Sequence, residues 1–179
     1  MDESIMDLMA AIREDFGLPE TDIRTYSPLT LAYIGDAAYE LVVRTFLVDQ
    51  GNSRPDKLHR KASSMVKAAA QAAMAEALKD SLTEEELSVY RRGRNAKSVT
   101  TAKNASVIDY RTATGLEALA GWLFLKERYD RLVYLVSQGL IRLGELPGGE
   151  DETAAMDGQA AQDRTAAGTG AGQETGDMT

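Results

Sequence analysis

The sequence predicts an all-α domain, and three observations carry that expectation. Apolar residues recur at three- and four-residue spacing almost everywhere before residue 145. Period-two alternation, the mark of a half-buried strand, is absent over any useful length. Helix-start signals stand in front of the apolar runs: Ser27 before Pro28, and Thr83 three residues before Glu86.

In chain order, Ile5, Leu8, Met9 and Ile12 define a short amphipathic helix that ends near Gly17. Ser27 as N-cap and Pro28 at the first helical position open a long apolar helix running to about Asp49. After Gly51, Pro55 opens "PDKLHRKASSMVKAAAQAAMAEAL", which the spacing predicts as one continuous helix to about Lys79. "TEEELSVYRRG" begins with the Thr83–Glu86 capping box and stops around Gly93. "NAKSVTTAKNASV" is rich in turn formers and is predicted as a loop or short helix. From about Ile108 a strongly apolar helix follows, and "DRLVYLVSQGLIRLG" is the last. Beyond about Leu146 the chain is Gly, Ala, Thr, Gln and acids, with almost nothing to bury. Such a composition does not offset the entropy of ordering, so residues 1–145 are predicted to be the folded domain and 146–179 a disordered acidic tail.

The chain has 179 residues, enough for one domain with a sizeable core, and its formal net charge is -8. Eight of its 28 acidic residues and one of its 20 basic residues lie from Glu145 onward, leaving 20 against 19 in residues 1–144. Between Arg54 and Lys103 the balance reverses, with 11 bases against 6 acids. Steering of a polyanion depends on local patches, so the acidic total does not exclude a nucleic-acid partner. The absence of cysteine excludes disulfide and thiolate chemistry. The acidic N-terminus is unlike a secretory signal, and no apolar run approaches the roughly 20 residues of a membrane span. A soluble cytoplasmic protein is expected.

Two residues break the apolar pattern. Asp36 follows Gly35 inside "LAYIGDAAYEL", and Glu117 sits in "TGLEALAGWLFL" among small and apolar neighbours. A carboxylate in such a setting takes up a proton, a cation or a metal. If the two face one another they repel unless a divalent cation lies between them, and a magnesium site needs only one or two carboxylates. The alternative is that each pairs with an arginine or caps a backbone group, the commoner arrangement. Glu40 shares the Asp36 face as an outer ligand, or forms a salt bridge with Arg44 one turn on. "RRGRNAKS" places Arg91, Arg92, Arg94, Asn95, Lys97 and Ser98 around a glycine at a helix end. With Lys57, His59, Arg60, Lys61 and Lys103 they suggest a basic surface for a nucleic-acid backbone, against the alternative of a solvated face. His59, the only histidine, is expected to be a surface contact rather than a metal ligand.

"LAYIGDAAYE", "LHRKAS", "RRGRNAKS" and "YRTATGLEALAGWLFL" together resemble, in order, Mini-ribonuclease III, the miniature branch of the ribonuclease III family. The resemblance runs from about Ser27 to Leu140. It implies a helical endonuclease domain that works as a homodimer and cuts double-stranded RNA with Mg2+, leaving 5′-phosphate and 3′-hydroxyl ends. It further implies trimming of a large-subunit ribosomal RNA precursor, with a ribosomal protein on the substrate as a candidate auxiliary partner. Asp36 matches the family's catalytic, metal-binding aspartate and Glu117 its glutamate. Full-length members carry a glutamate at the position of Ala32 and an aspartate at that of Thr114, so fewer protein groups hold the metal here. Glu40 and Thr114 are expected just outside the metal's ligands. The rival expectations are a non-catalytic RNA-binding factor of ribosome assembly and a helical dimer acting as a scaffold. Neither rival requires an inward carboxylate pair.

Overall fold

A computed structural model of the chain describes residues 5–97 and 106–147. The chain divides after Leu146 into Met1–Leu146 and Pro147–Thr179, and every helix among the described residues lies in the first unit. The tail from residue 148 on, Ser98 and Lys103 lie outside the described residues. Seven α-helices and no strands are found among the described residues, as predicted: α1 Ile5–Asp15, α2 Pro28–Asp49, α3 Pro55–Val66, α4 Ala68–Leu78, α5 Glu84–Asn95, α6 Val107–Leu125 and α7 Tyr129–Arg142.

Local chemistry sets most of the boundaries. The Ser27 hydroxyl accepts from the Thr30 N–H at the start of α2, with Pro28 behind it. The capping box of α5 is complete: Thr83 Oγ1 accepts from Glu86 N–H at 3.2 Å, and Glu86 Oε2 accepts from Thr83 N–H at 2.9 Å. Glu86 is 0 % exposed, and Arg131 of α7 donates to it twice at 2.8 Å while also donating to the Ser81 carbonyl. One buried carboxylate thus caps α5 and ties it to α7. Ser106 caps α6 through the Asp109 N–H.

The expected single helix from Pro55 to Lys79 is two. Lys67 is extended (φ -64, ψ 148), closing α3 and opening α4, whose first turn returns to the Lys67 carbonyl. No glycine or proline marks this break. Tyr39 of α2, fully buried, donates its hydroxyl to the Met65 carbonyl at 3.1 Å and so satisfies an acceptor left over at the end of α3. Burial pushes the Tyr39 phenol well above its ordinary pKa, which keeps it a donor. The bend lets α3 bury only Ala62 and Met65, while α4 buries Gln71, Ala72, Met74, Ala75 and Leu78.

The helix α6 is the centre of the domain. It packs most extensively on α2, then on α5 and α4. Nearly every residue from Thr112 to Leu123 is buried, Glu117 being the half-buried exception. Leu119, Leu123, Val43, Leu31 and Leu78 are fully buried in this core, each removing apolar surface worth about 1.5–3 kcal/mol. An apolar stripe remains uncovered on α2, with Leu29, Tyr33 (84 % exposed), Leu41 and Val48, and Val107 and Ile108 are exposed at the start of α6.

Candidate active site

The glycine before Asp36 has a steric reason. A Cβ on Gly35 would lie 1.7 Å from the Glu117 carbonyl oxygen, and one on Gly121 would lie 2.0 Å from that of Leu31. Only hydrogen at both positions lets α2 and α6 touch backbone to backbone. That contact sets Asp36, next after Gly35, beside the turn of α6 that carries Glu117. The two carboxylates share one cleft of about 590 Å³, whose walls include Leu29, Ala32, Tyr33, Tyr110 and Thr114.

Neither carboxylate forms an ion pair among the described residues, so the arginine partners that the sequence allowed are not found there. Glu117 is half-buried, and its carboxyl is pushed up to about 7, first by loss of water and then by the charge of Asp36; the neighbouring Gln71 amide opposes the rise. Asp36 is exposed rather than enclosed by apolar neighbours, a correction to the buried setting its pattern predicted. Its carboxyl is nonetheless raised, by partial desolvation and then by Glu40.

Glu40 accepts from Arg44 Nε at 2.9 Å and Nη2 at 2.6 Å, the simpler of its two expected roles, while its charge still reaches Asp36. The buried Thr114 hydroxyl donates to the Tyr110 carbonyl at 2.9 Å on the cleft wall. Among the described residues no three His, Cys, Asp or Glu side chains cluster as a complete metal cage. Two uncompensated carboxylates with an open side do suit Mg2+, which keeps several waters and takes the rest of its oxygens from substrate phosphate.

The expected basic residues divide into two groups. Arg91, Arg92 and Asn95 on α5 line a shallow cleft with Pro28, the residue before the Leu29 that borders the carboxylate cleft. Arg94 and Lys97 are exposed nearby in sequence. Lys57, His59, Arg60 and Lys61 are exposed on α3, where Arg60 approaches Asp56 at 3.6 Å and His59 lines an apolar groove with Arg44 and Val48. Sequence reasoning missed Gln71: its place in "VKAAAQAAMAEA" looks like simple close packing, but the side chain is 1 % exposed and adjoins Glu117. A polar residue on the buried face of that alanine-rich helix was the available signal.

The family model for the Ribonuclease III domain matches residues 29–128. The chain belongs to the ribonuclease III family. Within it, several similar proteins are Mini-ribonucleases 3. A Mini-ribonuclease 3 of Enterococcus faecalis is 47% identical over 126 residues, covering 69% of this chain and 96% of that protein. One of Brevibacillus brevis is 48% identical over 112 residues, covering 63% and 84%. The crystal structure of a Fusobacterium nucleatum protein aligns with a TM-score of 0.63 at 30% identity, covering 71% of this chain and all of that one. These likenesses place the chain in the Mini-ribonuclease 3 branch.

Proposed function

We propose that the chain is a magnesium-dependent endoribonuclease that cuts double-stranded RNA, with Asp36 and Glu117 as catalytic metal ligands. The observation that carries this is the pair of carboxylates, without an ion-pair partner among the described residues, held in one cleft by the Gly35–Gly121 contact. A bound Mg2+ would supply Lewis acidity toward the scissile phosphate and acidify a water. Ionised Asp36 and Glu117 would hold that charge, against the desolvation and then the Asp36 charge that raise the Glu117 carboxyl. Glu40 and Thr114 flank the ligands, and Glu40, bonded to Arg44, adds negative potential without competing for position. The products would carry 5′-phosphate ends.

Arg91, Arg92, Arg94, Asn95 and Lys97, with Lys57, His59, Arg60 and Lys61, are the proposed RNA-binding residues. They would meet phosphates and 2′-hydroxyls, the features an A-form duplex presents most openly. The uncovered stripe of Leu29, Tyr33, Leu41 and Val48 supports a homodimer in which each protomer cuts one strand. Residues 1–145 are the proposed catalytic domain, acting in the cytoplasm on a large-subunit ribosomal RNA precursor. No helix among the described residues is long and apolar enough to cross a membrane.

The test is single-turnover cleavage of long double-stranded RNA by the parent chain and Asp36→Asn, with and without Mg2+. Cleavage by the parent should require the metal, and the variant should lose on the order of 1,000-fold while binding RNA at near-parent affinity. Near-normal cleavage by Asp36→Asn would remove this residue from the mechanism. A parent chain that binds RNA but never cuts it would leave only the assembly-factor reading.

A further inference from the structure

Gln71 is one of the largest fully buried side chains in the core, and it is polar. It stands in the second turn of α4, on the face that the bend at Lys67 turns toward α6. Neither its Nε2 nor its Oε1 has a hydrogen-bond partner among the described residues. Burying both ends of an amide unsatisfied opposes folding, and Leu or Met would fill the same space without that penalty. The ionisable group that adjoins the amide is Glu117. The amide lies close enough to favour the charged carboxylate, yet it is not within hydrogen-bond geometry of it.

We propose that Gln71 is a positioning residue for the metal site: its Nε2 donates to one oxygen of the Glu117 carboxylate and thereby turns the other toward the cleft. The proposal rests on the reading of Glu117 as a metal ligand and adds the residue that orients it. Carboxylates that bind metals are commonly held by a further hydrogen bond on their second oxygen. An amide suits this place better than a cation would. It donates without bringing positive charge, so it fixes the carboxylate but does not compete with a divalent ion for it. A lysine or arginine at residue 71 would neutralise Glu117 permanently, as Arg131 neutralises Glu86. The α3–α4 break gains a purpose from this, because it aims the face carrying Gln71 at the turn of α6 that carries Glu117.

The experiment uses the full chain and its variants Gln71→Met, Gln71→Leu and Glu117→Gln. Calorimetric titration with Mn2+ alone, in the absence of RNA, measures the site directly, and the melting temperature of each metal-free protein reports the core. Both Gln71 variants should bind Mn2+ about tenfold more weakly than the parent. Their melting temperatures should be unchanged or higher, since an unsatisfied amide has been removed. Cleavage at limiting Mg2+ should fall in parallel and recover as Mg2+ is raised. Weakening of less than about threefold in both variants, with Mn2+ binding lost in Glu117→Gln, would overturn the role of Gln71 and leave the site intact. Lower melting temperatures in both would make Gln71 a structural residue and equally overturn it. If Glu117→Gln binds Mn2+ like the parent, or the parent binds none, the metal site itself falls and the inference with it.

Discussion

Two glutamates on neighbouring helices meet burial in opposite ways. Glu86 is fully enclosed at the start of α5, yet both its oxygens are taken, by Arg131 and by the Thr83 N–H. Burial alone would raise its carboxyl, but the bonds from Arg131 and Thr83 and the charges of Arg131 and Arg128 outweigh it and hold the carboxyl below its ordinary value. Glu117 is less enclosed, has no cationic partner among the described residues, faces Asp36, and is pushed up to about 7. Depth therefore does not decide which way a carboxylate's ionisation is shifted; partnership does. A paired charge holds two helices together. An unpaired one leaves the domain with a demand that only a proton or a cation meets.

The comparison can be broken first at Glu86. Arg131→Ala should cost about 3–5 kcal/mol, because it leaves an enclosed carboxylate without its counter-ion. Urea denaturation at neutral pH measures this, and a cost below about 1 kcal/mol would mean that Arg131 is not what holds Glu86 in its charged form. RNA cleavage under conditions where the variant stays folded should survive.

Glu117→Gln should act in the other direction. In the folded chain the carboxyl titrates at about 7 against an ordinary value of 4.5, so between these pH values the folded state holds a proton that the unfolded state releases. The stability from that proton is complete below the ordinary value and is lost as pH rises through the folded one. Metal-free Glu117→Gln, which keeps a neutral side chain at all pH, should thus be more stable than the parent at pH 8 by about 1–3 kcal/mol, and the gap should close toward pH 5. Thermal melts of chelator-treated protein across this window decide it; a constant gap would detach the effect from titration.

The smallest effect is expected at the cap. Thr83→Ala removes the hydroxyl that accepts from Glu86 N–H but leaves the backbone N–H of residue 83 to donate to Glu86. The loss should be about 1 kcal/mol. A loss approaching that of Arg131→Ala would show that the hydroxyl, and not the ion pair, anchors Glu86.

The Ser27–Pro28 start of α2 and the Thr83–Glu86 box of α5 were both legible in the sequence, because a cap satisfies backbone groups within a single turn and needs nothing from afar. The all-α class was legible for a like reason, since the apolar spacing repeats at the helix's own period. The oddity of Asp36 and Glu117 was also visible, as was the glycine before Asp36. Three matters belonged to the tertiary structure alone. The break at Lys67 depends on a phenol supplied by α2 and on where α4 finds its partner, and no local residue announces it. The exposure of Asp36 and the half-burial of Glu117 depend on which faces of α2 and α6 meet at Gly35 and Gly121. The weight of Gln71 appears only once α4 has been bent onto α6. Caps and periods are set over a few residues of chain; burial, ion pairing and shifted ionisation are set by groups brought together from distant parts of it, and folding alone chooses those.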